Sequence, residues 1–379
     1  MKRFRYFIII LFVFILGISI LIKPAILFLV RKQIEDVFPA AAVSIGGMSI
    51  KPFYRLSLLD IKINKHPVYD FKIKEAGIAY GIFSLLGGKI RKFYIKGTDI
   101  SVNLAQKDFS EFNRYLNLKP GGGFLIGLLE LSGLSLQVKS GDLELNALLS
   151  AELEPLNRLI HNCNLNIYFL DFKGFHLQDA FLRVRQAPYA GELSIGLARY
   201  DKLKVKEIKS KAILEGSRLR LDSLGAYFLD GEIRGNLDLE IGKNPQYLLN
   251  LKFLDCAIGA FVKDFNLQEK FTASGSLSGT LTLKGSGPDV NILSGDFSAV
   301  RPGGVLTITD TVFLERIARN SSQSLDLLVE SFKNYRYNNG IMKLSLDKDN
   351  LILEIALDSQ AGKRDLAVTI HNFELWRVK

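Results

Sequence analysis

The sequence is poor in the side chains that most often carry chemistry. It has four histidines, His66, His161, His176 and His371, and two cysteines, Cys163 and Cys256, in 379 residues. The histidines are scattered and form neither an H-E-x-x-H pair nor a Cys/His metal pattern, so each reads as a surface or strand residue. There is no G-x-S-x-G elbow, and no Ser-x-x-Lys stands beside a plausible site. "GGG" at 121–123, "GSG" at 285–287 and "PGG" at 302–304 are not followed by Lys-Ser or Lys-Thr. They read as turns and not as phosphate cradles. Carboxylates are dispersed, with no acid/base pair. An enzyme, a cofactor and a metal are therefore not expected. Each cysteine lies in an apolar strand-like run, "NCNLNIYF" or "KFLDCAIG". Two buried thiols are expected over a disulfide, although an oxidising compartment would permit pairing.

Proline is scarce at 10 and glycine plentiful at 32. A chain that is 48% hydrophobic and 23% charged is not disordered. The net charge of +10 would favour nucleic acid if it were concentrated. Here the Lys and Arg residues are spread along strand-like runs, so no nucleic-acid partner is expected.

The N-terminus indicates a compartment. "MKRFRY" is basic, and Phe7 to Ile22 is uncharged. Lys23-Pro24 interrupts, and the apolar run resumes to Val30. A bilayer needs about 20 residues, and Phe7 to Val30 suffices if Lys23 snorkels to the headgroups. The expectation is an uncleaved single-pass anchor with a cytoplasmic N-terminus, although Lys23, Arg31 and Lys32 weaken that orientation; the alternative is a cleaved signal peptide, for which Ala40-Ala41-Ala42 lies well past the apolar run. The rest of the chain would be extracytoplasmic. "QIEDVF" would extend the anchor as a short amphipathic helix, closing a segment at residue 38.

From Val43 onward most of the chain alternates apolar and polar residues, as in Arg218-Leu-Arg-Leu221 and Asn236-Leu-Asp-Leu-Glu-Ile241. Period two means strands with one apolar face. Within "FYIKGTDISVNL" the apolar residues change parity: Phe93 and Ile95 are odd, Ile100 and Val102 even. A hairpin loop at Gly97-Thr98 would pair Ile95 with Ile100 and Phe93 with Val102, which restores a common face. A β-bulge in one long bent strand is the alternative; the hairpin is the preferred reading. Similar loops are expected to pair Val138 with Leu143, Leu214 with Leu219, Phe228 with Ile233, and Leu346 with Leu351. Opposite charges flank three of these turns, as in Lys139 with Asp142 and Glu215 with Arg218.

The expectation is an antiparallel meander of roughly 18 to 24 strands with one apolar face that must be covered. Helices are few: short turns at 83–86, 110–116 and 155–160, and two near the C-terminus. One of those is "TVFLERIARN", capped by Thr309 or Asp310. The other follows Ser324, with Leu325, Leu328, Val329, Phe332 and Tyr335 on one stripe. So few helices cannot cover the strands. The sheet must form a sandwich, stack as a solenoid, or curl into a trough covered by something else. Periodicity alone puts the sandwich or solenoid first.

Three segments resemble the AsmA-like superfamily of bacterial bridge-like lipid-transfer proteins. The first is the anchor followed by "AAVSIGGMSIKPFYRLSLLDIKI" and "SLLGGKIRKFYIKGTDISVNL". The second is "FLDGEIRGNLDLEIGKNPQYLLNLKFLDCAIGAFVKDF" with "ASGSLSGTLTLKGSG". The third, "LSGDFSAVRPGGVLTITD" with the helical segment and final strands, is most similar to the YdbH branch. The resemblance implies a mainly β protein. An inner-membrane anchor at 1–38 would lead into a β-trough over 39–300, and helices and closing strands would occupy 301–379. It implies carriage of phospholipid acyl chains through the periplasm. The chain is shorter than the long bridging members: twenty strands at about 4.8 Å give roughly 100 Å. Such a chain would need an outer-membrane or periplasmic protein partner, work as one segment of a path, or serve another role near the inner membrane.

Candidate lining residues are Phe93, Ile95, Ile100, Val102, Leu219, Leu221, Ile233, Leu237, Leu239, Ile241, Leu281, Leu283, Leu351, Leu353 and Ile355. On a bland reading they are ordinary sandwich core. A structural or assembly factor that pairs strands with another envelope protein is the alternative function. The C-terminal helices would plug or cap the trough.

Overall fold

The computed structural model describes residues 23–38, 40–51, 54–81, 84, 87–105, 125–157, 159–185, 190–287, 289–310, 312, 315, 325–348, 350–360 and 362–370. The fold is mainly β with few helices. Two compact units divide it, Met1–Phe172 and Lys173–Lys379.

In the first unit residues 23–37 are helical. Among the described residues no helix is long and apolar enough to cross a membrane. The expected anchor lies largely in residues 1–22, outside the described residues. Seven strands follow: β1 (Ala42–Lys51), β2 (Arg55–Lys65), β3 (Tyr69–Ala79), β4 (Lys89–Asn103), β5 (Leu125–Ser140), β6 (Leu143–Glu154) and β7 (Leu159–Phe172). Neighbours pair antiparallel except β4 and β5, which run parallel. A pure antiparallel meander was expected, and this pair departs from it. The short helix expected at 155–160 is a turn leading into β7. The segments 83–86 and 110–116 lie mostly or wholly outside the described residues.

In the second unit eleven strands form one antiparallel sheet in chain order: β8 (Phe175–Arg185), β9 (Ala190–Tyr200), β10 (Leu203–Glu215), β11 (Arg218–Phe228), β12 (Gly231–Glu240), β13 (Gln246–Ala257), β15 (Ser276–Ser286), β16 (Asp289–Ala299), β19 (Asn339–Asp347), β20 (Asn350–Ser359) and β21 (Gly362–Ile370). The omitted strands, β14 (Phe271–Ala273), β17 (Gly304–Ile308) and β18 (Tyr335–Tyr337), form a separate sheet. Helix Ile258–Asp264 packs on β14, helix Leu325–Phe332 on β17, and β18 on β20. The end of the run expected as strand, Ile258-Gly259, is instead the start of helix Ile258–Asp264. The second helix ends before Tyr335, which is a strand residue and not part of the helical stripe. The helix expected at 311–320 and the cap Ser324 fall mostly outside the described residues.

The parity change in β4 has a different solution from the one expected. Residues 89–103 form a single strand through Gly97, with no hairpin. Gly97 has φ +59, a left-handed value that costs glycine nothing and interrupts the pleat by one step. The register to β3 runs without a shift through this level. Phe93 faces Ile78, Ile95 faces Ala76, Ile100 faces Phe71 and Val102 faces Tyr69. The bend therefore preserves the face that a hairpin was invoked to preserve.

Other strands use the same device. Left-handed backbone occurs at Asp60 in β2, Gly133 in β5, Asp179 in β8, Glu207 in β10, Ser223 in β11 and Asp255 in β13. Each lies between apolar residues three apart: Leu58 and Ile61, Leu131 and Leu134, Leu177 and Ala180, Val205 and Ile208, Leu221 and Leu224, Phe253 and Cys256. Two apolar residues at spacing three, the left-handed residue just before the second, mark a strand that bends and keeps its face. In some ladders the register slips beside the bend, as between Leu131 and Leu134 and between Phe253 and Cys256.

The hairpins at 214–219 and 346–351 have the expected registers. Two others are slipped by two residues. Val138 faces Leu145, with the turn at Gly141-Asp142, and Phe228 faces Gly231 across Leu229-Asp230. A slip of two leaves each residue on its face.

Candidate functional site

Residues directly opposite in a ladder share a face, so the registers assemble rows. In the first unit Leu58, Ala76, Ile95, Leu131 and Ala151 form one row across β2 to β6. Phe71, Ile100, Leu136, Ala147 and Ile167 form another across β3 to β7. Phe93 and Val102 sit in parallel rows. All four candidates from this unit are thus on the apolar face, half-buried. The first strands are covered: Ile34 and Phe38 pack on a core of Val43, Ile61, Ile63, Val68 and Tyr69. Among the described residues the extensive contacts of β5, β6 and β7 are with their ladder neighbours.

The opposite face is ionic. The Arg55 guanidinium donates to Glu75 at 2.6 Å and to the Tyr94 hydroxyl at 2.7 Å, and that hydroxyl donates to Glu75 at 3.1 Å. Lys92 and Lys96 reach Glu130 at 2.5 and 3.5 Å. Burial alone would raise the Glu75 carboxyl, but hydrogen bonds from Arg55 and Tyr94 outweigh it and hold the group below the usual range. The Lys92 hydrogen bond does the same for Glu130.

In the second unit Leu221, Leu237, Leu249, Leu283 and Leu293 form a row across β11, β12, β13, β15 and β16. A second row runs Ala226, Ile233, Phe253, Gly279, Phe297, Met342 and Ile355. A third runs Leu224, Gly235, Leu251, Leu281, Gly295, Leu344 and Leu353. Glycine has a steric role here: a Cβ on Gly279 would stand 2.6 Å from the Phe297 ring, and one on Gly295 2.8 Å from it. Leu283 and Leu351 are buried in one cluster with Leu293, and Ile233 in another with Phe253 and Cys256. Leu221 is also buried. Leu219, Leu237 and Leu239 are half-buried. Ile241 is not among them. It lies past the end of β12, is 52% exposed and belongs to no row, because the alternation ends one residue earlier than the sequence pattern indicated.

The C-terminal rows lie under the second layer. Phe332, Tyr335, Tyr337 and Leu357 form its core, and Phe332 is 1% exposed. The Tyr335 hydroxyl donates to the Gly362 carbonyl at 2.8 Å and the Tyr337 hydroxyl to the Ser274 carbonyl at 2.6 Å, which satisfies two polar groups that burial would otherwise penalise. Between the layers is a cavity of about 520 Å³. Phe253, Leu281, Phe297, Leu353 and Ile355 line it from the large sheet; Ile258, Phe261, Phe271, Leu306 and Tyr337 line it from the smaller layer. Its size falls among small-molecule sites, and its wall is almost wholly apolar. Sequence reading found Leu281, Leu353 and Ile355 and missed the covering residues. Those come from segments that skip the main ladder, for which period two offers no signal.

Both cysteines are free thiols, and burial raises both above the usual thiol value. Among the described residues no cluster of three His, Cys, Asp or Glu side chains could hold a metal. His161 stands 3.2 Å from Glu154. No family model, curated protein or solved structure matches the chain.

Proposed function

We propose that this chain is an AsmA-like lipid-transfer module, anchored in the inner membrane by its N-terminus. It would carry phospholipid acyl chains along an apolar β-groove between envelope membranes. The observation that carries the reading is the set of apolar rows continued from strand to strand within each unit, largely half-buried over β5 to β7 in the first and lining an apolar cavity in the second. Each methylene laid on this face gains about 0.8 kcal/mol. Because successive rows are alike, an acyl chain can move from one to the next with little change in free energy. The protein then lowers a barrier, and direction comes from a gradient or a partner.

Two experiments test this. Mass spectrometry of the full chain, purified in detergent, should find co-purifying phospholipid. Leu237→Glu with Leu239→Glu should abolish lipid exchange between vesicles while the far-UV spectrum stays β-rich. Lipid-free protein with no exchange activity would overturn the reading. An assembly factor working by strand pairing predicts instead crosslinks from edge strands to a polypeptide and none to lipid.

A further inference from the structure

A guanidinium stands on the apolar face of the second unit. Arg364 of β21 faces Leu357 of β20, which in turn faces Gly340 of β19. Leu357 and Gly340 line the apolar cavity. Two residues further along β21, Leu366 faces Ile355, another lining residue. The other ladder positions on this face of the eleven strands hold apolar or aromatic residues, glycine or serine. Among the described residues Arg364 is thus the one charged group at a ladder position there. Its chain neighbours are on the opposite face, where Lys363 faces Asp358 and Asp365 faces Ala356.

An inward charge on the last strand of a sheet discourages edge-to-edge pairing. Two details go beyond that role. The Arg364 side chain is half-buried, and its Nε is out of solvent with no hydrogen-bond partner. A charged donor in that state is costly unless an acceptor meets it. And the covering layer reaches β21 at this level, because the Tyr335 hydroxyl donates at 2.8 Å to the carbonyl of Gly362, two residues before Arg364. The guanidinium therefore stands one strand beyond the cavity wall, on the same face.

We infer that the cavity and Arg364 together hold one anionic amphiphile. Its alkyl chain occupies the cavity, and its carboxylate or phosphate accepts hydrogen bonds from the Arg364 guanidinium. The cavity wall is almost wholly apolar, so a polar group inside it would lose its hydrogen bonds to water without replacement. The guanidinium is a planar fork of donors that matches a carboxylate or a phosphate two bonds at a time. A neutral amphiphile would leave the fork unmatched, and a cationic one would be repelled. The inference rests on the lipid-transfer reading for the alkyl chain and adds to it an anion site at a named residue.

The test adds radiolabelled palmitate, palmitoyl lysophosphatidate or hexadecanol, alike in chain length, to the full chain in a non-ionic detergent and measures the amount retained. In parallel, N-ethylmaleimide labelling is followed at Cys256, which lines the cavity, with Cys163 of the first unit as reference. At least one anion should be retained about tenfold over hexadecanol, the discrimination of one charge-assisted hydrogen bond. It should slow labelling of Cys256 and not of Cys163. Preference for palmitate would assign the site to a fatty-acid carboxylate, and preference for lysophosphatidate to a headgroup phosphate. Arg364→Gln should erase the preference for anions while hexadecanol retention stays the same, and Arg364→Lys should restore part of it. Equal retention of all three probes by the unmodified chain would overturn the anion site and leave the transfer reading standing. Anion retention that survives Arg364→Gln, or that leaves Cys256 labelling unchanged, would put the ligand elsewhere and overturn the inference. Loss of hexadecanol from both variants would show that Arg364 shapes the cavity without binding an anion, and would overturn it too. No probe retained, with phospholipid still co-purifying, would overturn the inference alone; no probe and no phospholipid would overturn both readings.

Discussion

Strands β5 to β7 and strands β16, β19 and β20 are built alike, yet their apolar faces differ in what covers them. Over β16, β19 and β20 the chain supplies a second layer from β14, β17, β18 and two helices, and the core there includes Phe332 and Leu357. Over β5 to β7, among the described residues, the extensive contacts are those of ladder neighbours, and Leu131, Leu134, Leu136 and Val138 remain half-buried. The contrast teaches that an apolar strand face does not specify its own cover. Where the chain provides one, the result is a closed core and a cavity. Elsewhere, among the described residues, the rows stay half-buried.

The largest effect should come from removing the cover's anchor. Phe332→Ala leaves a void at a 1% exposed position and should cost about 3–5 kcal/mol. Hydrogen exchange should rise in β17, β18 and β20 while β5 to β7 stay unchanged; uniform loss of protection would mean that the two regions are not independent. Gly97→Val should cost less, about 1–2 kcal/mol, the penalty of left-handed backbone for a side chain. Asp60→Gly, at the equivalent bend in β2, should be neutral or slightly stabilising in the same denaturant titration.

Acid should act on the first unit. Glu75 and Glu130 have depressed values. Their stabilisation is complete above the unfolded carboxylate value of about 4.3 and is lost as pH falls through the folded values. Exchange in β2 to β5 should accelerate below about pH 4 before that of the Phe332 core. Glu75→Gln should flatten this response. The smallest effect belongs to Ile241→Ser, within about 0.5 kcal/mol and without change in lipid content, since that side chain lies off the rows.

Much of the fold was legible because period-two alternation reports directly on which face is buried. Leu219, Leu237 and Leu239 follow from it, and so do the 214–219 and 346–351 hairpins. Ile241 shows its limit: alternation can outrun the ladder. The bends were misread because Ile95-Lys-Gly-Thr98 satisfies a turn and a left-handed strand residue equally well. Seen in six strands, the apolar spacing of three is itself a signal, but only alignment of many strands reveals it. The covering layer was illegible because β14 and β18 are three residues long each, too short for any period to register.

The sequence by itself determined that the chain is mainly β, that one face of its strands is apolar, and that its cysteines lie in apolar strands. Tertiary structure decided whether a parity change ends a strand or bends it. A left-handed residue and a two-residue loop cost similar local energy, and the choice falls to the neighbouring strand that offers hydrogen bonds along the whole length. Tertiary structure also decided which part of the apolar face is sealed. That depends on contacts between segments far apart in the chain, such as Tyr337 with Ser274, which no local pattern encodes.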